Sequence, residues 1–162
     1  MFTRNGKGLT AKGVKPICSF QQVFKSLYLF GAYSPITGEH FELELPTCNT
    51  ETFQLFLDHF SEINPDEFKI ILLDNGKFHK GKDLVIPKNI KLLFIPPYSP
   101  ELNPCEKIWH KFKRQFSGKL FKTLDNVSEF ITTQVNSLSR KDVQSICGFE
   151  YIINSSFWTI IY

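Results

Sequence analysis

Two carboxylates stand where chemistry is possible: Asp74 in FKIILLDNGKFHK and Glu106 in PPYSPELNPCEKIWH. Asp74 follows a short continuous apolar run, residues 70–73, the pattern of a strand buried on both faces. Open α/β sheets place ligand-handling groups at the carboxyl ends of such strands, because the loop there opens a crevice. The same residues, Asp74-Asn75-Gly76, also read as a plain turn. Glu106 has two readings as well. Asn103 is a good N-cap and Pro104 suits a first helical position, so Glu106 falls three residues after the cap, where a capping interaction explains it without any function. At about 100° per residue, however, this helix turns Ile108, Trp109, Phe112 and Phe116 to one arc and Lys107, Lys111 and Arg114 to the opposite one. Glu106, His110 and Lys113 are left on the boundary, where a half-desolvated carboxylate can point along the sheet edge toward Asp74.

Paired carboxylates from different elements suit Mg²⁺, a hard cation that takes oxygen ligands and keeps several waters. In two-metal sites the ions lie about 3.5–4 Å apart and clamp the attacking and leaving oxygens of a phosphoryl displacement. Such sites commonly use a third carboxylate. Glu39, Glu42, Glu44 and Glu51 sit in a turn, an alternating strand and a helix start, and none reads as that ligand. His79, five residues after Asp74, reads as a surface or hydrogen-bonding residue, or as one that positions substrate phosphate, before it reads as a metal ligand. Lys77, Lys80 and Lys82 around it can meet a phosphate backbone or simply face solvent. Trp109 reads as core.

The elements that must hold these groups follow from periodicity. VFKSLYLFGAYS (23–34) and HFELEL (40–45) are β-rich runs joined by a Pro35/Gly38 turn, which predicts an antiparallel hairpin, with a further strand at about 14–20. Asn49 or Thr50 caps a helix with Phe53, Phe56, Leu57 and Phe60 at helical spacing, ending before Asn64 and Pro65. The runs at 70–73 and from Ile90 predict two parallel strands. A last amphipathic helix is expected over about 124–138, and the closing FWTIIY has no assignment. The 162 residues carry 42% hydrophobic and 15% aromatic side chains, enough for one core, with no repeat or linker. No apolar run is long enough for a membrane span or signal peptide, which predicts a cytosolic protein. Four scattered cysteines without a CxxC pair suggest neither zinc nor disulfides. The net charge is only +3, but the lysines and arginine concentrate between Lys77 and Lys122.

ILLDNGKFHK and KLLFIPPYSPELNPCEKIWHKFK together resemble the DDE transposases of the mariner superfamily and their bacterial insertion-sequence relatives. In that family the second catalytic Asp ends a strand and is followed by Asn and a nearby His, and PPYSPxLNPxE delivers the third acid with Trp three residues on. Asp74 and Glu106 match those positions, at a separation of the size the family uses. The resemblance continues more faintly upstream, through KGVKP, FGAYS and TETFQLFL, and runs to about Ile152.

The resemblance implies an α/β, ribonuclease H-like mixed sheet with flanking helices, here a partial catalytic domain over 1–152 followed by an unassigned tail, 153–162. It implies Asp74 and Glu106 as catalytic metal ligands for Mg²⁺, with Mn²⁺ as a substitute, and Asn75, Lys77, His79, Lys80 and Lys113 as DNA-positioning groups. The family's first catalytic Asp lies on the central strand, which by this alignment precedes Met1. The chain is therefore expected to lack that strand, to leave two inner sheet edges open, and to be inactive alone. Its expected partners are transposon and target DNA, and the missing N-terminal half or further copies of the chain, in the bacterial cytosol or nucleoid. Two other readings stand beside this one: a non-catalytic remnant that binds DNA or a sister subunit, and a stand-alone nuclease needing a replacement acid near residues 39–44.

Overall fold

The structure, a computed structural model, describes residues 26–154. The strand expected at 14–20 and the closing FWTIIY lie outside the described residues. The expected hairpin is present, with β1 (Tyr28–Tyr33) antiparallel to β2 (His40–Leu45) and Tyr33 opposite His40. Its turn closes through Gly38 at φ +75°, a left-handed conformation that favours glycine. Helix α1 (Thr50–Glu62) starts where the sequence places it. The Asn49 side chain accepts from Thr52 N–H at 2.9 Å and Thr52 Oγ1 accepts from Asn49 N–H at 3.0 Å, a reciprocal cap.

β3 (Lys69–Leu73) and β4 (Ile90–Phe94) pair in parallel, Leu73 opposite Phe94. They are not buried on both faces as their apolar runs predict. Ile71, Leu73, Ile90 and Leu92 pack toward α1, whereas Lys91 and Phe94 are exposed. On the opposite face Ile70, Leu72 and Leu93 are only half-buried, and among the described residues each strand has a single neighbour. The four strands among the described residues form two separate two-stranded sheets, β1-β2 and β3-β4. What joins them is α1: Phe53, Phe56 and Leu57 are buried against Phe30 and Phe41 of one sheet and Leu73 and Ile90 of the other. Each such side chain contributes about 1.5–3 kcal/mol by leaving water, so α1 is the clamp that holds the two small sheets together.

A second core lies under the C-terminal helices α2 (Cys105–Phe116), α3 (Leu124–Asn136), α4 (Arg140–Cys147) and α5 (Glu150–Ile153). Ile108 and Phe112 of α2 pack on Val143 and Cys147 of α4 and on Leu138, with Tyr33 of β1 alongside. α3 matches the amphipathic helix read from sequence, although it ends at Asn136. α4 and α5 were not anticipated. The signal for α4 was available, since Ser139 accepts from Asp142 N–H at 3.1 Å and Asp142 reaches back to Ser139 N–H at 3.0 Å, a short capping box. No helix among the described residues is long and apolar enough to cross a membrane.

Candidate active site

Asp74 is the first residue beyond β3, and its side chain is 59% exposed. The strand end beneath it is braced across to β4: Ile95 N–H donates to Leu73 O at 3.0 Å, and Asn75 Nδ2 donates to Ile95 O at 2.6 Å. The Asn75 side-chain oxygen accepts from the Lys80 ammonium, which rests 4.8 Å over the Phe94 ring. Asn75 and Lys80 thus spend their polar groups on each other and on the strand ends.

The turn reading of Asp74-Asn75-Gly76 is correct as local structure, since Asp74 Oδ1 accepts from Gly76 N–H at 2.9 Å. It is not the whole of it. A 3₁₀ turn over Lys77–Lys80 brings His79 Nδ1 to 3.0 Å from the same Oδ1 and 3.2 Å from Asp74 O. A side chain on Gly76 would crowd this pair, its Cβ falling 3.1 Å from Asp74 Oδ1 and 3.2 Å from His79 Nδ1. Both groups facing Nδ1 are acceptors, so in the neutral ring Nδ1 carries the proton and Nε2 is bare. The ring packs on Phe53 of α1 at 4.6 Å and on Phe78 at 4.0 Å, leaving 13% of the His79 side chain exposed. Burial lowers the His79 pKa from its ordinary 6.5, and the hydrogen bonds and charge of Asp74 oppose that shift without reversing it.

Glu106 stands in the first turn of α2, after the loop 96–104. That loop is latched from behind: the Tyr151 hydroxyl donates to Leu102 O, and Cys147 Sγ approaches Pro104 O at 3.9 Å. Helix α2 is then fixed by Trp109 packing edge-on to Tyr33 at 6.0 Å and by the burial of Ile108 and Phe112. Trp109 is core, as its spacing indicates. The cap differs from expectation, because Asn103 Oδ1 accepts from Cys105 N–H at 3.1 Å while no hydrogen bond or ion pair among the described residues engages the Glu106 carboxylate. Glu106 is also exposed, not half-desolvated, because α2 turns only the Ile108/Phe112 arc inward. Capping therefore does not explain this acid.

Among the predicted site residues, Asp74, Asn75, His79 and Lys80 form one hydrogen-bonded cluster at the carboxyl edge of β3. Lys77 is exposed beside it, and Glu106 and Lys113 are exposed on α2. No group of three or more His, Cys, Asp or Glu that could hold a metal ion occurs among the described residues, so Asp74, His79 and Glu106 do not meet as a trio. The other acids near the hairpin are engaged elsewhere: Glu39 with Arg140 at 3.1 Å, Glu42 with His40 at 2.9 Å, and Glu44 with Ser128 at 2.6 Å. Cys48 was not singled out from sequence, yet Asp74 contributes to raising its pKa, after burial. Burial pushes Cys105 up to about 12 and Cys147 up to about 11, which keeps both thiols protonated.

Residues 3–128 match the sequence model of a family described as DDE superfamily endonuclease. An uncharacterized protein y4pE/y4sA from Sinorhizobium fredii (strain NBRC 101917 / NGR234) is 37% identical over 105 residues, 62% of this chain and 76% of the relative. Among solved structures, a chain of the Mos1 transposase paired-end complex with left transposon end is similar at a TM-score of 0.68 and 17% sequence identity. The similarity covers 90% of this chain and 47% of that one, so the chain spans about half the length of the Mos1 transposase chain and shares its mixed α/β fold.

Proposed function

The chain belongs to the DDE superfamily endonuclease family, and from that premise we propose that it is part of the catalytic domain of a transposase that cleaves and joins DNA strands with a divalent metal. One observation carries the reading. Among the described residues Asp74 has Oδ1 fixed by Gly76 and His79 while Oδ2 is uncommitted, and the Glu106 carboxylate, in the first turn of α2, has no partner. Two hard, exposed carboxylates are the donor set that Mg²⁺ or Mn²⁺ takes when water and substrate phosphate complete its shell. Asp74 and Glu106 would hold the ion. When bound it supplies a Lewis acid that activates water or a 3′-hydroxyl and stabilises the leaving oxygen.

The chain's own residues have separate tasks. His79 holds Asp74 in one rotamer through Nδ1, and its aromatic packing on Phe53 and Phe78 resists displacement. Asn75 and Lys80 keep the ends of β3 and β4 together beneath the acid. Lys77 and Lys113, both exposed, offer ammonium groups to the phosphate backbone.

The split sheet supports the remainder of the proposal. β1 pairs only with β2, and β3 only with β4, among the described residues. A ribonuclease H-like sheet forms when a further strand from outside the described residues enters between β1 and β3, satisfying both open edges and bringing another carboxylate. Residues 1–152 would then be a partial catalytic domain, with 153–162 a tail, acting in the cytoplasm on transposon and target DNA with the complementary half or other copies of the chain. On this reading the 162 residues alone do not cut DNA.

The test is Asp74→Asn and Glu106→Gln in a protein to which the further strand has been supplied. Each change should abolish Mg²⁺-dependent cleavage of transposon-end DNA while leaving the fold intact by circular dichroism. Undiminished cleavage by either variant disproves the metal role, and Mg²⁺-dependent nicking by the purified 162-residue chain disproves the need for another carboxylate.

A further inference from the structure

Helices α2 and α4 enclose an open groove of about 690 Å³ on the outer side of the second core. One wall is a stripe on α2: Lys107, His110, Lys111 and Arg114, spaced three or four residues apart and so aligned along one face. It spans about 10 Å at the helical rise of 1.5 Å per residue. Among the described residues the acid that pairs with this stripe is Asp142, 4.0 Å from Lys111 and already tied into the α4 cap, so the groove keeps a positive excess. Lys107 is held in place with its ammonium 4.1 Å over the Phe149 ring.

We infer that this groove is a binding site for the sugar–phosphate backbone of duplex DNA, separate from the carboxylate site. The inference rests on the reading that DNA is the substrate. Successive phosphates on one strand advance about 3.4 Å along the duplex axis, so a stripe of this length meets about three of them. The other wall adds Ser145 and the α2 side adds Gln115, neutral hydrogen-bonding groups suited to phosphate oxygens, with Ile146 the sole apolar lining residue. An acidic protein partner is disfavoured by that lining, because protein interfaces centre on apolar and aromatic anchors whereas DNA interfaces are polar and strongly positive.

The experiment measures binding of the 162-residue chain to a random-sequence duplex by fluorescence anisotropy between about 50 and 200 mM salt, about a twofold change in Debye length. The triple variant Lys107→Gln/Lys111→Gln/Arg114→Gln should bind at least tenfold more weakly, and its log K against log salt slope should fall by about 2–3. A charge-matched control, Lys88→Gln/Lys91→Gln/Lys122→Gln, removes three exposed lysines elsewhere and should change the slope by less than about 1. Lys107→Arg/Lys111→Arg should bind like the unmodified chain. Equal slopes for the triple variant and its control, no binding by the unmodified chain, or tighter binding of a poly-glutamate peptide than of DNA overturns the inference. If Asp74→Asn still abolishes cleavage in the completed protein, such a failure belongs to the groove and not to the metal reading.

Discussion

His79 Nδ1 lies 3.0 Å from Asp74 Oδ1 and 3.2 Å from the backbone oxygen of the same residue, so one imidazole N–H serves both acceptors. Asp74 is the influence that raises the His79 pKa, and burial is the larger one that lowers it. Asp74→Asn removes the negative charge and leaves the burial. The His79 pKa should therefore fall further below 6.5 in that variant, as read from the pH titration of its imidazole resonances by NMR. An unchanged or higher value would show that the two side chains do not face each other.

The same depression sets a pH dependence of stability. Because the folded pKa lies below the ordinary 6.5, the unfolded chain takes the proton first as pH falls. The contribution of His79 is complete above about 6.5 and is lost as pH drops from there through the lowered folded value, at up to about 1.4 kcal/mol per pH unit. His79→Gln should remove that part of the slope in urea unfolding between pH 7 and 5. A variant curve parallel to the parent would refute it.

Asn75→Ala cuts the brace between the two strand ends and frees Lys80. It should cost about 1–2 kcal/mol, the worth of a partly buried hydrogen bond and of the stranded Ile95 carbonyl. Lys80→Ala should cost less than about 1 kcal/mol, since it breaks only a surface contact. The ordering of the two urea midpoints is the check, and a larger loss for Lys80→Ala would mean that the ammonium, not the amide, holds the edge.

What the sequence made legible and what it hid have separable causes. α1, β3, β4 and the position of Asp74 were readable because their signals are local: the Asn49 cap, the 3.6-residue phenylalanine spacing and the apolar runs. The exposure of Lys91 and the half-burial of Ile70, Leu72 and Leu93 were not, because burial of a strand's second face depends on what other elements supply. Glu106 was placed at the right end of the right helix, yet its freedom from capping turned on Asn103 bonding Cys105 N–H, a choice among near-equal alternatives. α4 was missed although Ser139 and Asp142 announce it, since its eight residues are too short to show a period. The latch of Tyr151 on Leu102, which fixes the loop before Glu106, joins residues far apart in the chain and left no trace in any local pattern.

Tyr33 offers a test of the packing that positions α2. Its ring packs edge-on to Trp109 and stacks with His40, but its hydroxyl is buried with no hydrogen-bond partner among the described residues. Burial first, then the charge of Glu42 and a hydrogen-bonding approach to its carboxylate that falls outside ordinary bond geometry, push the Tyr33 pKa far above the ordinary tyrosine value, so the group is a neutral O–H out of water. Glu42 lies near enough for its charge to count, yet its 6% exposed carboxylate is committed to His40 Nδ1 at 2.9 Å. An unpaired buried hydroxyl costs about 1–3 kcal/mol, and Tyr33→Phe removes it while keeping the ring. Thermal unfolding should show the variant as stable as the parent or more stable by about 1 kcal/mol. If instead it loses more than that, the O–H donates to Glu42 in solution, and Glu42→Gln added to Tyr33→Phe should then cost less than Glu42→Gln alone, because the two changes would share one bond.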